Sequence, residues 1–149
     1  MADRLRKEFA PSGVLRAGIN LGNPVIAQAD PAGGEPRGVG PALARGLAAR
    51  LGLQLAFTTF ETAGKLADAV ASWDVAFLAI DPERAREIDF TDAYVHIEGT
   101  YMVPADSPLR SVGDVDREGV RVAVGLKTAY DLFLARTLRR AQLVRSASS

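Results

Sequence analysis

The decisive stretch of the sequence reads Val75-Ala-Phe-Leu-Ala-Ile80-Asp-Pro-Glu-Arg84. Its first six residues form a continuous apolar run, which is typical of a strand buried on both faces of a parallel sheet. Asp81, Pro82 and Glu83 then carry the signature of a helix start: a capping residue, a proline at the first helical position and an acid in the first turn. The stretch therefore predicts a buried strand that leads directly into a helix.

The residues before this stretch alternate between strand and helix patterns. Strands are predicted at Val14–Asn20 and 53–60, and helices at 39–51, where apolar residues recur every four positions, and at 63–72. Such alternation favours right-handed crossovers and a parallel sheet covered by helices. We therefore predict an α/β lobe over residues 12–103, preceded by a short helical segment over residues 1–11.

The last third of the sequence contains a smaller pattern of the same kind. Residues 94–103 are predicted to be extended, and the two prolines at 104 and 108 mark a break after them. Residues 120–124, 128–141 and 142–145 predict a strand, a helix and a strand. One strand–helix–strand unit is small for an independent core, so we predict a partial second lobe over residues 104–149.

Composition excludes several classes of function. The chain has 149 residues, with 18 Lys+Arg balanced by 18 Asp+Glu, no Cys and one His. Zero net charge argues against nucleic acid as a partner, because such binding depends on many cationic contacts to phosphate. A thiolate nucleophile, a Cys-based zinc site and a His-rich metal site are also excluded, and we predict no metal and no cofactor.

Few residues form a pattern that could support catalysis. His96 lies in the extended apolar segment without a nucleophile or an orienting acid nearby in the sequence, so no catalytic residue is predicted. Arg84 has two interpretations. It is part of a helix start with only a structural role, or it joins the amide groups after the strand end in an anion site, where its guanidinium would bind a carboxylate.

Several segments resemble those of a known family and occur in the same order. They are Leu15-Arg-Ala-Gly-Ile-Asn20, Gly38, Trp73-Asp-Val-Ala-Phe77, Asp81-Pro-Glu-Arg84 with Glu87-Ile-Asp-Phe-Thr-Asp-Ala-Tyr94, and Gly119-Val-Arg-Val-Ala-Val124. The chain resembles the family 3 extracellular solute-binding proteins, the polar amino-acid receptors of ABC importers, over nearly its whole length. The resemblance implies a parallel-sheet lobe of the periplasmic-binding-protein type II kind with a partial second α/β lobe.

The resemblance also implies a ligand site in the cleft between two lobes. Arg84 matches the arginine that binds the α-carboxylate of the ligand, residues 79–81 match a strand end that adds contacts, and residues 127–129 match a turn of the second lobe. With two asparagines at the end of the first strand, the predicted ligand-binding residues are Asn20, Asn23, Ala79, Ile80, Asp81, Arg84, Lys127, Thr128 and Ala129.

This sequence departs from the family pattern at three positions. Asp81 stands where the family has Thr, Lys127 where it has Gly, and Ala42 where it usually has an acid. Asp81 would either cap the helix amides or change the ligand, and Lys127 would either add a cation for an acidic ligand or point to solvent. Family members are also longer, so a shortened second lobe is expected.

The predicted function is the solute-binding component of an amino-acid ABC transporter, with a polar amino acid or small carboxylate as ligand and an ABC permease as partner. An alternative is a non-transport protein that forms a homodimer through its incomplete second lobe. A third, less favoured reading is a cyclohexadienyl-dehydratase-like enzyme that uses Glu61 or Glu98 as general acid or base. The family is mostly periplasmic, whereas this start lacks an export signal and predicts a cytoplasmic chain as written.

Overall fold

The computed structural model describes residues 2–147, and the chain divides into two compact units, Met1–Ala79 and Ile80–Ser149. Each unit contains its own parallel sheet with helices, which confirms the predicted α/β class. The lobe boundaries placed at 11/12 and 103/104 from the sequence remain predictions. No helix in the described part of the chain is both long and apolar enough to cross a membrane.

The first unit is built on a three-stranded parallel sheet in the order β2-β1-β3. Its elements are α1 (Ala2–Phe9), β1 (Val14–Asn20), α2 (Val39–Leu51), β2 (Gln54–Phe60), α3 (Ala63–Asp68), a 3₁₀ turn (Val70–Ser72) and β3 (Val75–Ala76). β1 pairs with β2 in register from Val14 opposite Gln54 to Asn20 opposite Phe60. The predicted bounds of the first strand and of the long helix are confirmed.

The core of the first unit lies around β1. Leu15, Ala17 and Ile19 are fully buried, and α2 packs against the sheet through small residues, including Ala44 and Ala48. Small side chains allow a helix to approach a sheet closely. α2 ends at Gly52, whose left-handed backbone (φ 63°) directs its N–H to the carbonyls of Ala48 and Ala49, as a C-terminal cap requires.

The strand predicted at residues 75–80 is shorter and less buried than expected. Only Val75–Ala76 pair with β1, opposite Ala17 and Gly18, and Ile80 is 55% exposed. β3 lies at the edge of the described three-stranded sheet, so the apolar run has a strand partner on one side only. The helix predicted at 63–72 also divides, into α3 and the 3₁₀ turn.

The second unit contains a two-stranded parallel sheet. β4 (Arg121–Gly125) pairs with β5 (Gln142–Ser146), and α4 (Ala129–Thr137) connects them. Val115, Val122 and Leu134 form the core of this unit. The predicted strand–helix–strand order is confirmed, although α4 ends four residues earlier than expected, where Leu138 turns to extended backbone.

The segment at residues 94–103 contains no hydrogen-bonded strand, although the sequence predicted an extended element there. All of these residues except Tyr101 are exposed, and Tyr101 packs against the core of the second unit.

Candidate functional site

Arg84 begins a single 3₁₀ turn, Arg84–Arg86, where the sequence predicted the start of a full helix. That prediction is wrong, because Glu87 leaves the helical region of backbone space (φ −129°, ψ −13°). Ile88, Phe90 and Thr91 follow, and β-branched and aromatic residues are weak helix formers. A turn of three residues has no substantial macrodipole, so an anion site cannot depend on helix amides here.

Asp81 precedes this turn and is buried, with 3% of its surface exposed. Its Oδ1 accepts a hydrogen bond from the N–H of Glu83 at 2.9 Å. This carboxylate therefore binds a main-chain amide just before the turn, whose own N-cap, Glu83, has no side-chain capping bond. Arg136 of α4 donates from Nη2 to Oδ2 at 2.9 Å and from Nη1 to Oδ1 at 3.3 Å. Burial raises the pKa of Asp81, but the hydrogen bonds from Arg136 and Glu83 outweigh it, and the net pKa is lowered.

Arg84 is a buried cation, with 6% of its surface exposed. Its Nη2 donates to the main-chain carbonyl of Lys127 at 3.1 Å. Burial lowers the pKa of the guanidinium below its ordinary value, and the nearby charge of Asp81 partly offsets this. The structure therefore brings together two of the predicted site segments, the Arg84 turn and the Lys127 turn.

The Lys127 turn has an unusual backbone. Lys127 has φ 56° and is the single non-glycine residue with positive φ among residues 2–147. The family resemblance assigns a glycine to this position, and the left-handed conformation explains that preference physically. The side chain of Lys127 is exposed.

Thr128 is the N-cap of α4, and Ala129 is its first residue. The Oγ1 atom of Thr128 accepts from the N–H of Asp131 at 3.2 Å and donates to the carbonyl of Gly125 at 2.8 Å. Asp131 in turn accepts from the N–H of Lys127 at 2.9 Å. This reciprocal capping fixes the turn on which the carbonyl that binds Arg84 is located.

Asp131 is a second buried acid with an arginine partner. It is 4% exposed, and its Oδ1 accepts from Nε of Arg145 at 2.7 Å. Neither Arg145 nor Arg136 was among the predicted site residues. The spacing of Thr128 and Asp131 is a capping pattern that could have indicated the role of Asp131. Nothing in the sequence pairs Arg145 with Asp131.

Three predicted ligand-binding residues belong to the first unit. Asn20 accepts from the N–H of Gly22 at 2.9 Å and Asn23 from the N–H of Val25 at 3.2 Å, so both side chains stabilise the turn after β1. Ala79 is exposed and is the last residue of this unit. The other six, Ile80, Asp81, Arg84, Lys127, Thr128 and Ala129, belong to the second unit. Ligand contact by any of the nine remains a prediction.

The candidate acids for catalysis have no special environment. Glu61 forms an ion pair with Lys65 one helical turn away, and the hydrogen bond from Lys65 lowers the pKa of Glu61. Glu98 and His96 are exposed in the segment without secondary structure. Among residues 2–147, His, Asp and Glu form no group of three or more that could hold a metal ion.

The chain has the type II periplasmic-binding-protein kind of fold, with a parallel sheet and helices in each unit. Residues 15–146 match the bacterial extracellular solute-binding proteins, family 3, and the chain belongs to that family. No curated protein matches the sequence.

Solved structures share this fold. An ancestral amino-acid-binding protein, described as a precursor of cyclohexadienyl dehydratase, is 27% identical with a TM-score of 0.75, over 99% of this chain and 65% of that one. A point mutant of arginine-bound ArgBP from T. maritima is 22% identical with a TM-score of 0.68, over 99% of this chain and 68% of that one. The cysteine-binding protein from Campylobacter jejuni is 22% identical with a TM-score of 0.69, over 99% and 59%. The last two likenesses show the fold alone, and this chain spans between 59% and 68% of the three proteins' lengths.

Proposed function

We propose that the chain binds a small solute that carries a carboxylate, a polar amino acid in the first place, as the solute-binding component of an ABC transporter. Family membership supports a solute receptor, and the 27% identical relative is described as an amino-acid-binding protein. A receptor of this kind delivers its solute to a permease, so we also propose an ABC permease as the protein partner.

The burial of Arg84 is the observation that carries this proposal. A guanidinium has five N–H donors in a planar fork that matches a carboxylate with two parallel hydrogen bonds. Its attraction for an anion is stronger where water is excluded, and Arg84 is 6% exposed. The bond from its Nη2 to the Lys127 carbonyl fixes the plane of the fork. We assign the ligand carboxylate to this guanidinium and to the first amides of α4 beyond Thr128.

Calorimetric titration with a panel of amino acids and small dicarboxylates tests the proposal. Wild-type chain is expected to bind at least one of them, and Arg84→Ala is expected to weaken that binding below detection. Arg86→Ala is the matched control, because Arg86 lies in the same turn but is exposed. Within the part of the chain that the structure describes, its ion-pair partner is Glu83. Full affinity in Arg84→Ala would refute the assigned site, and no binding by any compound would refute the function.

Self-association is a second candidate function. Several large apolar side chains of the second unit are exposed, which favours association when they form one surface; they are Ile97, Met102, Val112, Tyr130 and Phe133. Light scattering over a range of concentrations tests this alternative, and a monomer at every concentration contradicts it.

We do not propose catalysis for this chain. A general acid at neutral pH needs a raised carboxyl pKa, whereas the ion pair with Lys65 lowers the pKa of Glu61. An assay for cyclohexadienyl dehydratase activity is therefore expected to show no turnover, and measurable turnover that Glu61→Gln removes would reverse this proposal.

A further inference from the structure

Segment 94–103 has the sequence of a β-strand, and its backbone is accessible to a partner. Six of its ten residues are β-branched or aromatic, and none is proline. Residues 94–100 are all exposed. Within the part of the chain that the structure describes, no backbone hydrogen bond involves residues 95–103. The main-chain N–H and C=O groups of this segment can therefore pair with a strand from another molecule.

The second unit holds one end of this segment in place. Tyr101 is half-buried and packs against the hydrophobic core of that unit. A Cβ added to Gly99 would lie 2.8 Å from Cε1 of Tyr130, so the backbone passes close to α4. These contacts order part of the segment before a partner binds, which lowers the entropy that pairing would cost.

The two faces of the segment differ in polarity. In an extended strand, Val95, Ile97, Gly99, Tyr101 and Val103 share one face, which is apolar except for the hydroxyl of Tyr101. Val95 and Ile97 are 47% and 55% exposed, so a partner has apolar surface to bury. Opposite residues in an antiparallel pair lie on the same face. A partner with the same sequence therefore joins the two apolar faces when odd-numbered residues lie opposite odd-numbered ones.

We propose that segment 94–103 forms an antiparallel two-stranded ladder with the same segment of a second copy of this chain, with Ile97 opposite Ile97 at the twofold axis. Twofold pairing of identical surfaces closes on itself and produces a dimer. This inference rests on self-association, the second candidate function, and names the surface through which it occurs. It does not depend on solute binding at Arg84.

The polar residues of the segment favour this register. With Ile97 on the axis, Glu98 of each copy lies opposite His96 of the other, and the carboxylate can accept a hydrogen bond from the imidazole. An axis at Glu98 would place two carboxylates opposite each other, and like charges in that position destabilise a ladder. An axis at His96 would pair the two imidazoles and remove the imidazole opposite Glu98. The segment is therefore most complementary to itself with Ile97 on the axis.

Disulfide crosslinking of the full chain tests the register, because the sequence has no native cysteine. Ile97→Cys would place two thiols opposite each other, whereas the thiols of Thr100→Cys would lie six residues apart along the ladder, about 20 Å. We expect Ile97→Cys to form a linked dimer at least tenfold faster than Thr100→Cys. Val112→Cys, 66% exposed in the same unit, measures random collision. Equal rates for all three variants overturn this inference.

Two double variants separate main-chain pairing from side-chain contact. His96→Pro/Ile97→Pro removes two adjacent N–H donors, one of which faces the partner strand in either hydrogen-bonding pattern. His96→Ala/Ile97→Ala removes the same side chains and keeps both donors. Light scattering over a range of concentrations is expected to show dimerisation at least tenfold weaker in the proline variant than in the alanine variant. Both variants should keep the circular dichroism spectrum of wild type, since neither donor bonds to another described residue.

The outcomes distinguish this inference from the proposals on which it rests. Wild-type chain that is monomeric at every concentration overturns both the ladder and self-association, and does not affect solute binding. A dimer that the proline and alanine variants weaken equally overturns the ladder alone. A dimer that persists in the proline variant but is lost in Phe133→Asp also overturns the ladder and assigns the interface to the exposed side of α4. If the proline variant does not fold, the ratio of the two crosslinking rates decides.

Discussion

The guanidinium of Arg84 donates a hydrogen bond to the main-chain carbonyl of Lys127, 3.1 Å away, across 43 positions of sequence. The acceptor belongs to a turn that Thr128 and Asp131 cap reciprocally. The turn therefore holds the carbonyl in place, and the carbonyl orients the arginine. This relationship connects the fold of the second unit to the group proposed to bind the ligand.

Arg84→Lys is expected to weaken ligand binding at least tenfold although it keeps the positive charge. Lysine presents one ammonium on a flexible stem and cannot hold the Lys127 carbonyl and a carboxylate in the same planar arrangement. Titration calorimetry with the best wild-type ligand measures the effect. Arg86→Lys serves as the control and should bind like wild type. Equal affinity in both variants would show that charge alone, without the fork geometry, determines binding.

Lys127→Gly is expected to be more stable than Lys127→Ala, since both variants remove the lysine side chain and differ only in the backbone preference of the new residue. A side chain in the left-handed region costs on the order of 1–2 kcal/mol, and glycine avoids that cost but loses more backbone entropy on folding. With φ 56° at this position, the difference between the two variants of about 0.5–1 kcal/mol should appear as a higher midpoint in urea for Lys127→Gly. An unchanged or lower midpoint would contradict the argument from backbone strain.

Gly119→Ala is the converse test in the same unit. Gly119 has φ 81°, and a Cβ added there meets nothing within 4 Å. Any loss of stability therefore comes from the backbone alone, and we expect about 1 kcal/mol of destabilisation. Stabilisation by this substitution would mean that the left-handed backbone of Gly119 does not limit stability when alanine replaces glycine.

The elements with strong periodicity could be predicted from the sequence. Val14–Asn20 and Val39–Leu51 were found with the bounds that the structure shows, because apolar spacing and the glycine stop at Gly52 are local signals. The strand at 75–80 and the helix after Asp81 were overestimated. The length of β3 depends on how many residues of β1 it can pair with, and it pairs with only two. This pairing depends on residues distant in the sequence, so the pattern at 75–80 does not contain it.

The candidate site was only partly accessible from the sequence. Arg84 and Thr128 were found through a resemblance and a helix-start signal, both of which are local patterns. The pairs of Asp81 with Arg136 and of Asp131 with Arg145 join residues 55 and 14 positions apart. No spacing rule connects such residues, so the neutralisation of both acids emerged only from the three-dimensional structure.

Asp74→Asn is expected to destabilise the chain at neutral pH by about 1–2 kcal/mol, the lower part of the range of about 1.5–3 kcal/mol for hydrogen bonds to charged groups, because the side chain of Arg16 is 39% exposed. Asp74 is the residue before β3, and it accepts hydrogen bonds from Nη2, Nε and the main-chain N–H of Arg16 in β1. Urea denaturation at about pH 7 measures the loss. Asp92→Asn, in the exposed segment, is the control and should stay within about 0.5 kcal/mol of wild type.

The same aspartate predicts how stability depends on pH. Burial raises the pKa of Asp74, but the hydrogen bonds from Arg16 outweigh it and lower the pKa below its ordinary value. A lowered folded-state pKa stabilises the fold above the unfolded value near 3.8 and loses that effect as pH falls through the folded value. The difference between wild type and Asp74→Asn should therefore shrink from about pH 6 to about pH 2. A constant difference would show that Arg16 and Asp74 are not coupled as an ion pair.

Gly18 and Gly46 allow opposite predictions for the same substitution. An alanine Cβ at Gly18 would lie 2.6 Å from Cδ1 of Leu66 and 3.0 Å from Cδ1 of Trp73, both buried in the core of the first unit. Overpacking of this kind costs about 1–3 kcal/mol, so Gly18→Ala should lower the unfolding midpoint. Gly46 lies inside α2, and an added Cβ meets nothing within 4 Å, so Gly46→Ala should stabilise by up to about 1 kcal/mol through helix propensity. Urea denaturation gives the unfolding midpoints of both variants. If both midpoints fall, the loss of a glycine destabilises the chain whether or not the new methyl group meets other atoms.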